Sequence, residues 1–378
     1  MMLLPVVYHD DYLTYNFGPG HPFLPDRWAA LEQLLSIAGV PIEWISPEPA
    51  SEEILYKVHS REFVDAVKAA SDGSDLSYPG QYGLETGDVP IFRGMHEAAS
   101  IIAGGSLHAG ELVAGGRAKR VLQLGGGLHH AMRDRASGFC VYNDLAVLVS
   151  GLRDQDLRVA YVDIDVHHGD GVQTIFYDDP DVLTVSLHES GRYLFPGTGS
   201  VNEYGRGVAE GTSINVPLIP ETRDASYLEV FDSIVPKVVT AFQPDILVVQ
   251  SGADAHQIDP LAHLSLTTHA YDALFDRLIQ LAEYVTGGRI VVTLGGGYAF
   301  DSTLRIWSML AYKLAEEELP EQLPIDWHSK WRTRLDFPAW TAWQDEESGD
   351  SEDEHDAVAE TNRETVRALQ RLIYGPER

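Results

Sequence analysis

The chain has 378 residues, 57 of them Asp or Glu and 27 Lys or Arg, for a formal net charge of −30. That balance argues against a surface that tracks nucleic-acid phosphates and favours solubility and attraction of cationic partners. The one cysteine, Cys140, excludes an intramolecular disulfide, the N-terminal stretch lacks the basic and apolar regions of a secretory signal, and no apolar run approaches the roughly 20 residues of a membrane helix. A cytoplasmic protein without direct nucleic-acid or membrane contact is therefore expected.

Short β-branched runs at residues 6–8, 121–124, 159–164, 182–187, 246–250 and 290–294 end in glycine or polar residues and read as strands. Between most of them, apolar residues recur at helical spacing over 29–38, 95–112, 226–242 and 268–286. Strands alternating with crossover helices predict a doubly wound, mostly parallel sheet covered on both faces, a single α/β domain over residues 1–340. Residues 344–360 hold nine acidic residues and no Lys or Arg, the composition of a mobile linker. Beyond it, residues 361–378 are expected to form a C-terminal amphipathic helix, with Val358, Val366, Leu369, Leu372 and Ile373 supplying an apolar stripe that docks on the body or on a second subunit.

In such sheets a ligand sits outside the carboxyl ends of the strands, and the polar clusters of this sequence fall there. The strand at 121–124 runs into Gly125-Gly126-Gly127-Leu128-His129-His130, followed by Ser137-Gly138-Phe139-Cys140-Val141-Tyr142-Asn143-Asp144. The glycine spacing matches neither Gly-x-Gly-x-x-Gly nor a Walker loop. Two adjacent histidines suit acid–base work, whereas one alone would read as a core or loop residue. The strand at 159–164 leads into Asp163-Ile164-Asp165-Val166-His167-His168-Gly169-Asp170-Gly171. Along an extended strand residues 163, 165 and 167 share one side, so Asp165 and His167 can converge on one cation. Each acid alone would read as a solvated strand end, but ionised groups this dense at a buried strand end need partners or a metal. The strand at 246–250 ends in Ser251-Gly252-Ala253-Asp254, which supplies a natural third ligand or else a helix N-cap. The strand at 290–294 ends in Gly295-Gly296-Gly297-Tyr298, where a phenol can donate to a developing oxyanion or simply pack on a tight turn.

Taken together, and in this order along the chain, these four segments resemble the histone deacetylase superfamily, over most of residues 1–340. The segment at 87–99 and His21-Pro22 with Arg27 look most like the bacterial acetoin-utilisation deacetylases. The resemblance implies the arginase–deacetylase fold. It also implies hydrolysis of an acetyl or short acyl amide on a lysine ε-amine, in an acetylated protein or peptide. Asp165, His167 and Asp254 would bind Zn2+, or Fe2+ in its place. His130 with Asp170 would be the general base, His129 with Asp163 its electrostatic neighbour or acid, and Tyr298 the oxyanion donor. Phe139 and Phe195 would sandwich the substrate stem, with Gly138, Leu261 and Gly296 along the slot and Asp88 at its rim. A structural K+ would lie near Asp163, Asp165, His167, Ser186 and Leu187. One departure is Leu294, where the family commonly has a first glycine, and it predicts a stiffer loop before Tyr298. Asp10, Asp11, Asp144 and Asp259 are left as structural.

The nearest competing reading is an acetylpolyamine amidohydrolase with the same site, since an acidic surface also suits a polyamine. Arginase-like ureohydrolysis needs a two-manganese site with further aspartates, and the histidine doublet with Tyr298 fits a single metal better. A non-catalytic acyl-lysine binder would need none of the acid–base groups.

Overall fold

The computed structural model describes residues 3–334, 342–346 and 356–375. Among these, eight strands form one sheet: β1 (Leu4–Val7), β2 (Ile42–Ile45), β3 (Arg120–Gln123), β4 (Val159–Asp163), β5 (Val182–Glu189), β6 (Ser213–Leu218), β7 (Ile246–Ser251) and β8 (Ile290–Leu294). Their order across the sheet is β2-β1-β3-β8-β7-β4-β5-β6, and every pairing is parallel. Parallel neighbours require crossovers. These run through α1 (Asp26–Ala38), α2 (Glu52–Val58), α3 (Arg61–Ser71), α4 (Met95–Ala114), α5 (Asp144–Arg153), α6 (Asp170–Phe176), α7 (Asp224–Phe242) and α8 (Thr268–Thr286). Three more helices follow β8: α9 (Phe300–Leu314), α10 (Ile325–Trp331) and α11 (Asp356–Tyr374).

Alternation along the strands sorts side chains into two cores. Ala160 and Val162 of β4, Leu247 and Val249 of β7, and Ile290 and Val292 of β8 join the core that includes α1, α7, α8 and α9. Val159 and Tyr161, Ile246 and Val248, and Val291 join the core formed with α3, α4 and α5. A sheet buried on both faces explains why its central strands read as continuous apolar runs. The doubly wound, mostly parallel sheet expected from the sequence is present, as a single all-parallel sheet flanked by helices.

Two strands, β2 and β6, had no counterpart among the runs read from sequence. Both are sheet edges. The first is four residues long and mostly half-exposed, and the second carries Pro217, a residue confined to edges because it cannot donate to a ladder.

Leu294 is the last residue of β8, as the strand read at 290–294 expects, paired with Ser251 and fully buried in the core, so the stiffer loop expected from it before Tyr298 does not follow. An extended backbone suits leucine, so the flexibility of the glycine loop begins only at Gly295. The C-terminal reading also changes. Helix α11 begins at Asp356 rather than at 361, because the apolar stripe already starts at Val358 and continues through buried Val366 and Leu369. It packs on α7 and β6 of its own chain. Of the stretch 344–360, Asp345 is bonded to the body while Gln344 and Glu346 are exposed, and 347–355 fall outside the described residues, as do 335–341 and 376–378.

Candidate active site

The central strands β3, β8, β7 and β4 are adjacent, and each delivers one of the four polar clusters from its carboxyl end. On β4, Asp163 Oδ2 accepts from Tyr161 OH at 2.5 Å, and Asp163 Oδ1 takes the Asp165 N–H at 3.0 Å. Asp165 in turn accepts the His167 N–H at 3.0 Å. This ladder fixes the backbone so that Asp165 and His167 face one point. The β7 loop brings Asp254 there, held by the Val166 N–H at 2.9 Å. His167 Nδ1 then lies 3.1 Å from both Asp165 Oδ1 and Asp254 Oδ2.

Among the described residues, Asp165, His167 and Asp254 are the only three metal-ligating side chains so grouped, each offering an atom within 4.8 Å of the others. All three are buried. Burial, then the charge of Asp165, pushes Asp254 up to about 7. For His167 burial favours the neutral form, but hydrogen bonds to the two carboxylates win and raise it to about 10. Two carboxylates drawing an imidazole toward its cationic form show a strong local demand for positive charge, which a divalent cation meets. One nitrogen and two carboxylate oxygens are donors that zinc accepts, so these residues fit the metal their sequence pattern suggested.

The β3 loop supplies the two adjacent histidines. His129 Nδ1 lies 2.8 Å from Asp163 Oδ2, His130 Nδ1 2.7 Å from Asp170 Oδ1, and the two Nε2 atoms 3.0 Å from each other. Burial lowers both imidazoles. The charges of Asp163 and Asp165 overcome it at His129, which rises to about 9, whereas burial and the neighbouring His129 charge take His130 down to about 4. A pair of titratable groups driven apart in this way is the electrostatic pattern of an acid–base site.

The β8 loop completes the slot. Gly296 N–H donates to Asp165 Oδ2 at 2.7 Å, and a Cβ at Gly296 would sit 1.9 Å from Asp254 Oδ2, so only glycine allows this approach. Tyr298 is half-buried, its ring edge-on to Phe139 at 5.8 Å. Burial, then Asp254 and Asp165, raises its phenol well above the usual range, so it stays protonated and can donate. Gly138 sits against His130, where a Cβ would meet the ring at 2.5 Å. Phe195, partly exposed, packs edge-on to His130 at 5.0 Å. Phe139, Gly138, Tyr298, Gly296, both histidines and the Asp165–His167 pair line one pocket with Phe23 and Arg27.

The remaining candidates lie around it. Asp88 is exposed, and its carbonyl oxygen is 3.3 Å from His21 Nε2, whose ring packs on Phe139. Leu261 is half-buried, its N–H held by Asp259 Oδ1 at 3.0 Å. Ser186 pairs with Asp163 across β4 and β5, and Leu187 follows it on β5. Cys140 also borders the pocket, but burial holds its thiol protonated.

Several residues to which the sequence assigns no role in the site support it. Gln250 Nε2 donates to Asp165 Oδ2 at 2.7 Å. Asp259, left as structural, takes the Tyr298 N–H at 2.7 Å and the Ala299 N–H at 3.3 Å, so it sets the turn that presents the tyrosine. Arg27 lies buried under the same turn, donating to the Gly297 carbonyl at 2.9 Å. His59 braces the histidine loop, 2.9 Å from the Met132 carbonyl and accepting the Asn143 N–H at 3.0 Å. Gln250 closes the strand read at 246–250, directly before Ser251-Gly252-Ala253-Asp254, but nothing local marked His59.

Residues 21–314 match the model of the histone deacetylase domain. The acetoin utilization protein AcuC of Bacillus subtilis is 42% identical over 344 residues, covering 90% of this chain and 89% of that protein. AcuC of Staphylococcus xylosus is 36% identical, covering 90% of each. Among solved structures, an HDAC homolog complexed with SAHA superposes with a TM-score of 0.86 at 26% identity, over 98% of this chain and 100% of that one. An HDAC homolog from Aquifex aeolicus gives 0.83 at 26% identity, over 96% and 100%. No described helix is long and apolar enough to cross a membrane. A domain match that takes in all four strand-end clusters, with relatives similar over most of their length, leads to one conclusion: this chain belongs to the histone deacetylase family of hydrolases.

Proposed function

We propose that this deacetylase removes acetyl or short acyl groups from the ε-amine of lysine in proteins or peptides. The observation that carries the reading is the convergence, on one slot, of the buried Asp165–His167–Asp254 group, the His130–Asp170 pair and the Tyr298 phenol. Asp165, His167 and Asp254 would hold Zn2+ or Fe2+, which when bound polarises an amide carbonyl and acidifies water.

The chain's own groups account for the remaining steps. His130, oriented by Asp170, takes the proton of the attacking water as that water adds to the amide carbon. Tyr298 donates to the oxyanion that forms, an interaction worth roughly 10²–10³ in rate where such donors have been removed. The C–N bond then breaks as His129 or His130 protonates the leaving amine. Phe139 and Phe195 flank the aliphatic stem, Gly138, Leu261 and Gly296 line the slot, and Asp88 stands at the rim for a peptide backbone or a distal ammonium. Asp163, Asp165, His167, Ser186 and Leu187 would hold a structural K+.

The test is hydrolysis of a fluorogenic acetyl-lysine peptide and of N-acetylputrescine, with and without added zinc, by the wild type, Tyr298→Phe and His130→Ala. Metal-dependent peptide turnover that falls by about 10² or more in both variants supports the reading. Preference for N-acetylputrescine would assign the same site to a polyamine, and a zinc-loaded chain inert on both would point to a binder.

A further inference from the structure

The ligand Asp254 and the wall residue Leu261 sit on a long connection, residues 252–267, that joins β7 to α8 without strand or helix of its own. Such a stretch keeps one conformation only when bonds elsewhere offset its conformational entropy. One of its anchors comes from the far end of the chain. The Asp345 carboxylate, almost fully buried, lies 2.8 Å from His256 Nε2 and accepts the Thr268 N–H at 2.9 Å and Arg305 Nη2 at 2.9 Å. Its own N–H donates to Thr268 Oγ1 at 2.7 Å, and its carbonyl oxygen is 3.0 Å from His269 Nε2. Arg305 also donates to the Trp343 carbonyl at 3.0 Å, and the Trp343 side chain is buried.

These contacts tie three parts of the site to one carboxylate. His256 lies two residues beyond Asp254, and its carbonyl accepts the N–H of Asp259, the residue that holds the Tyr298 turn. Thr268 and His269 open α8, which ends the connection. Arg305 belongs to α9, the helix that starts just after Tyr298.

We propose that residues 342–346 act as a clasp on the metal-ligand loop, with Asp345 a positioning residue for Asp254. The inference rests on the reading that Asp165, His167 and Asp254 hold the metal. Outer groups that orient ligands affect metal affinity by about tenfold to a hundredfold when removed, and Asp345 acts at that remove, through His256.

The experiment measures zinc affinity of the full chain by chelator competition, together with the melting temperature of the metal-free protein and amide exchange over residues 252–267. The variants are Asp345→Ala, Asp345→Asn, His256→Ala, the Asp345→Ala/His256→Ala double variant, and Asp254→Ala as reference. The clasp predicts zinc binding weakened about tenfold or more in Asp345→Ala, less in Asp345→Asn, and no further loss in the double variant than in the worse single. Faster exchange confined to 252–267 and α8 in Asp345→Asn supports it even where the alanine variant fails to fold. A lower melting temperature with unchanged zinc affinity would make Asp345 merely structural and overturn the proposal. If Asp254→Ala itself keeps wild-type zinc affinity, the ligand assignment fails and takes the clasp with it.

Discussion

At Gly296 a hydrogen atom is all that separates the backbone from two carboxylates: a Cβ would lie 1.9 Å from Asp254 Oδ2 and 2.8 Å from Asp165 Oδ2. Gly296→Ala must push aside one of these carboxylates, both proposed metal ligands. Because the clash involves side-chain ends rather than the core, the expected outcome is a metal affinity lowered by about tenfold or more, with a metal-free melting temperature within a few degrees of wild type. Zinc titration beside thermal unfolding checks it. Leu294, two residues earlier, behaves oppositely: it is core, so the departure from the family's glycines is a packing choice. The sequence made the ligand candidates legible because Asp163, Asp165 and His167 are local to one strand and its end. It did not make Asp259 legible, because an acid that holds a turn and an acid that faces solvent look alike until the turn is seen.

Elements bring in partners that spacing cannot reveal. His59, the C-terminal cap of α2, accepts the N–H of Asn143, 84 residues away, with Nε2, so it must be neutral at that nitrogen. Asn143 passes the support on, donating to the carbonyls of His129 at 3.1 Å and Ala131 at 3.0 Å. Burial lowers the His59 pKa from 6.5 to about 4. Between those values the unfolded chain binds the proton and the folded chain does not. Stability from this group is therefore full above pH 6.5 and falls as pH drops toward 4, by up to roughly 3 kcal/mol. His59→Ala should be less stable at pH 7 and should lose that part of the acid slope. Urea unfolding of metal-free protein at pH 7, 6 and 5 provides the measurement, and parallel slopes in the two proteins would refute it. The same blindness to distant partners hid Asp345, 89 residues from His256 within a run of acids that composition alone marks as solvated. Buried helices and central strands were readable because their apolar periodicity is local. Edge strands β2 and β6 were not, since the first is mostly half-exposed and the second mixes Ser213, Asn215 and Pro217 into its apolar residues.

For the molecule as a whole, a charge of −30 acts over distances longer than any one contact. A negative field raises the encounter rate of cationic substrates and is screened within about 10 Å at 0.1 M salt. An acetyl-lysine peptide flanked by lysines should therefore show a higher kcat/KM than one flanked by glutamates. Their ratio should fall as NaCl rises from about 20 mM to about 300 mM. A ratio insensitive to salt would mean that discrimination arises from contacts in the slot instead.

The strand order carries the last point. In β2-β1-β3-β8-β7-β4-β5-β6, the two strands made last are inserted in the middle, β8 between β3 and β7, and β7 between β8 and β4. A chain emerging from the ribosome therefore holds two half-sheets with open inner edges until residue 294 is free to pair. Unpaired edges of parallel strands are slow to close and prone to wrong partners. Asp165 and His167 are made early, but Asp254 and Tyr298 arrive with the closing strands. Nascent chains would thus carry two of the three proposed metal ligands with no acid–base slot around them, and maturation of the proposed catalytic centre would coincide with the final act of folding.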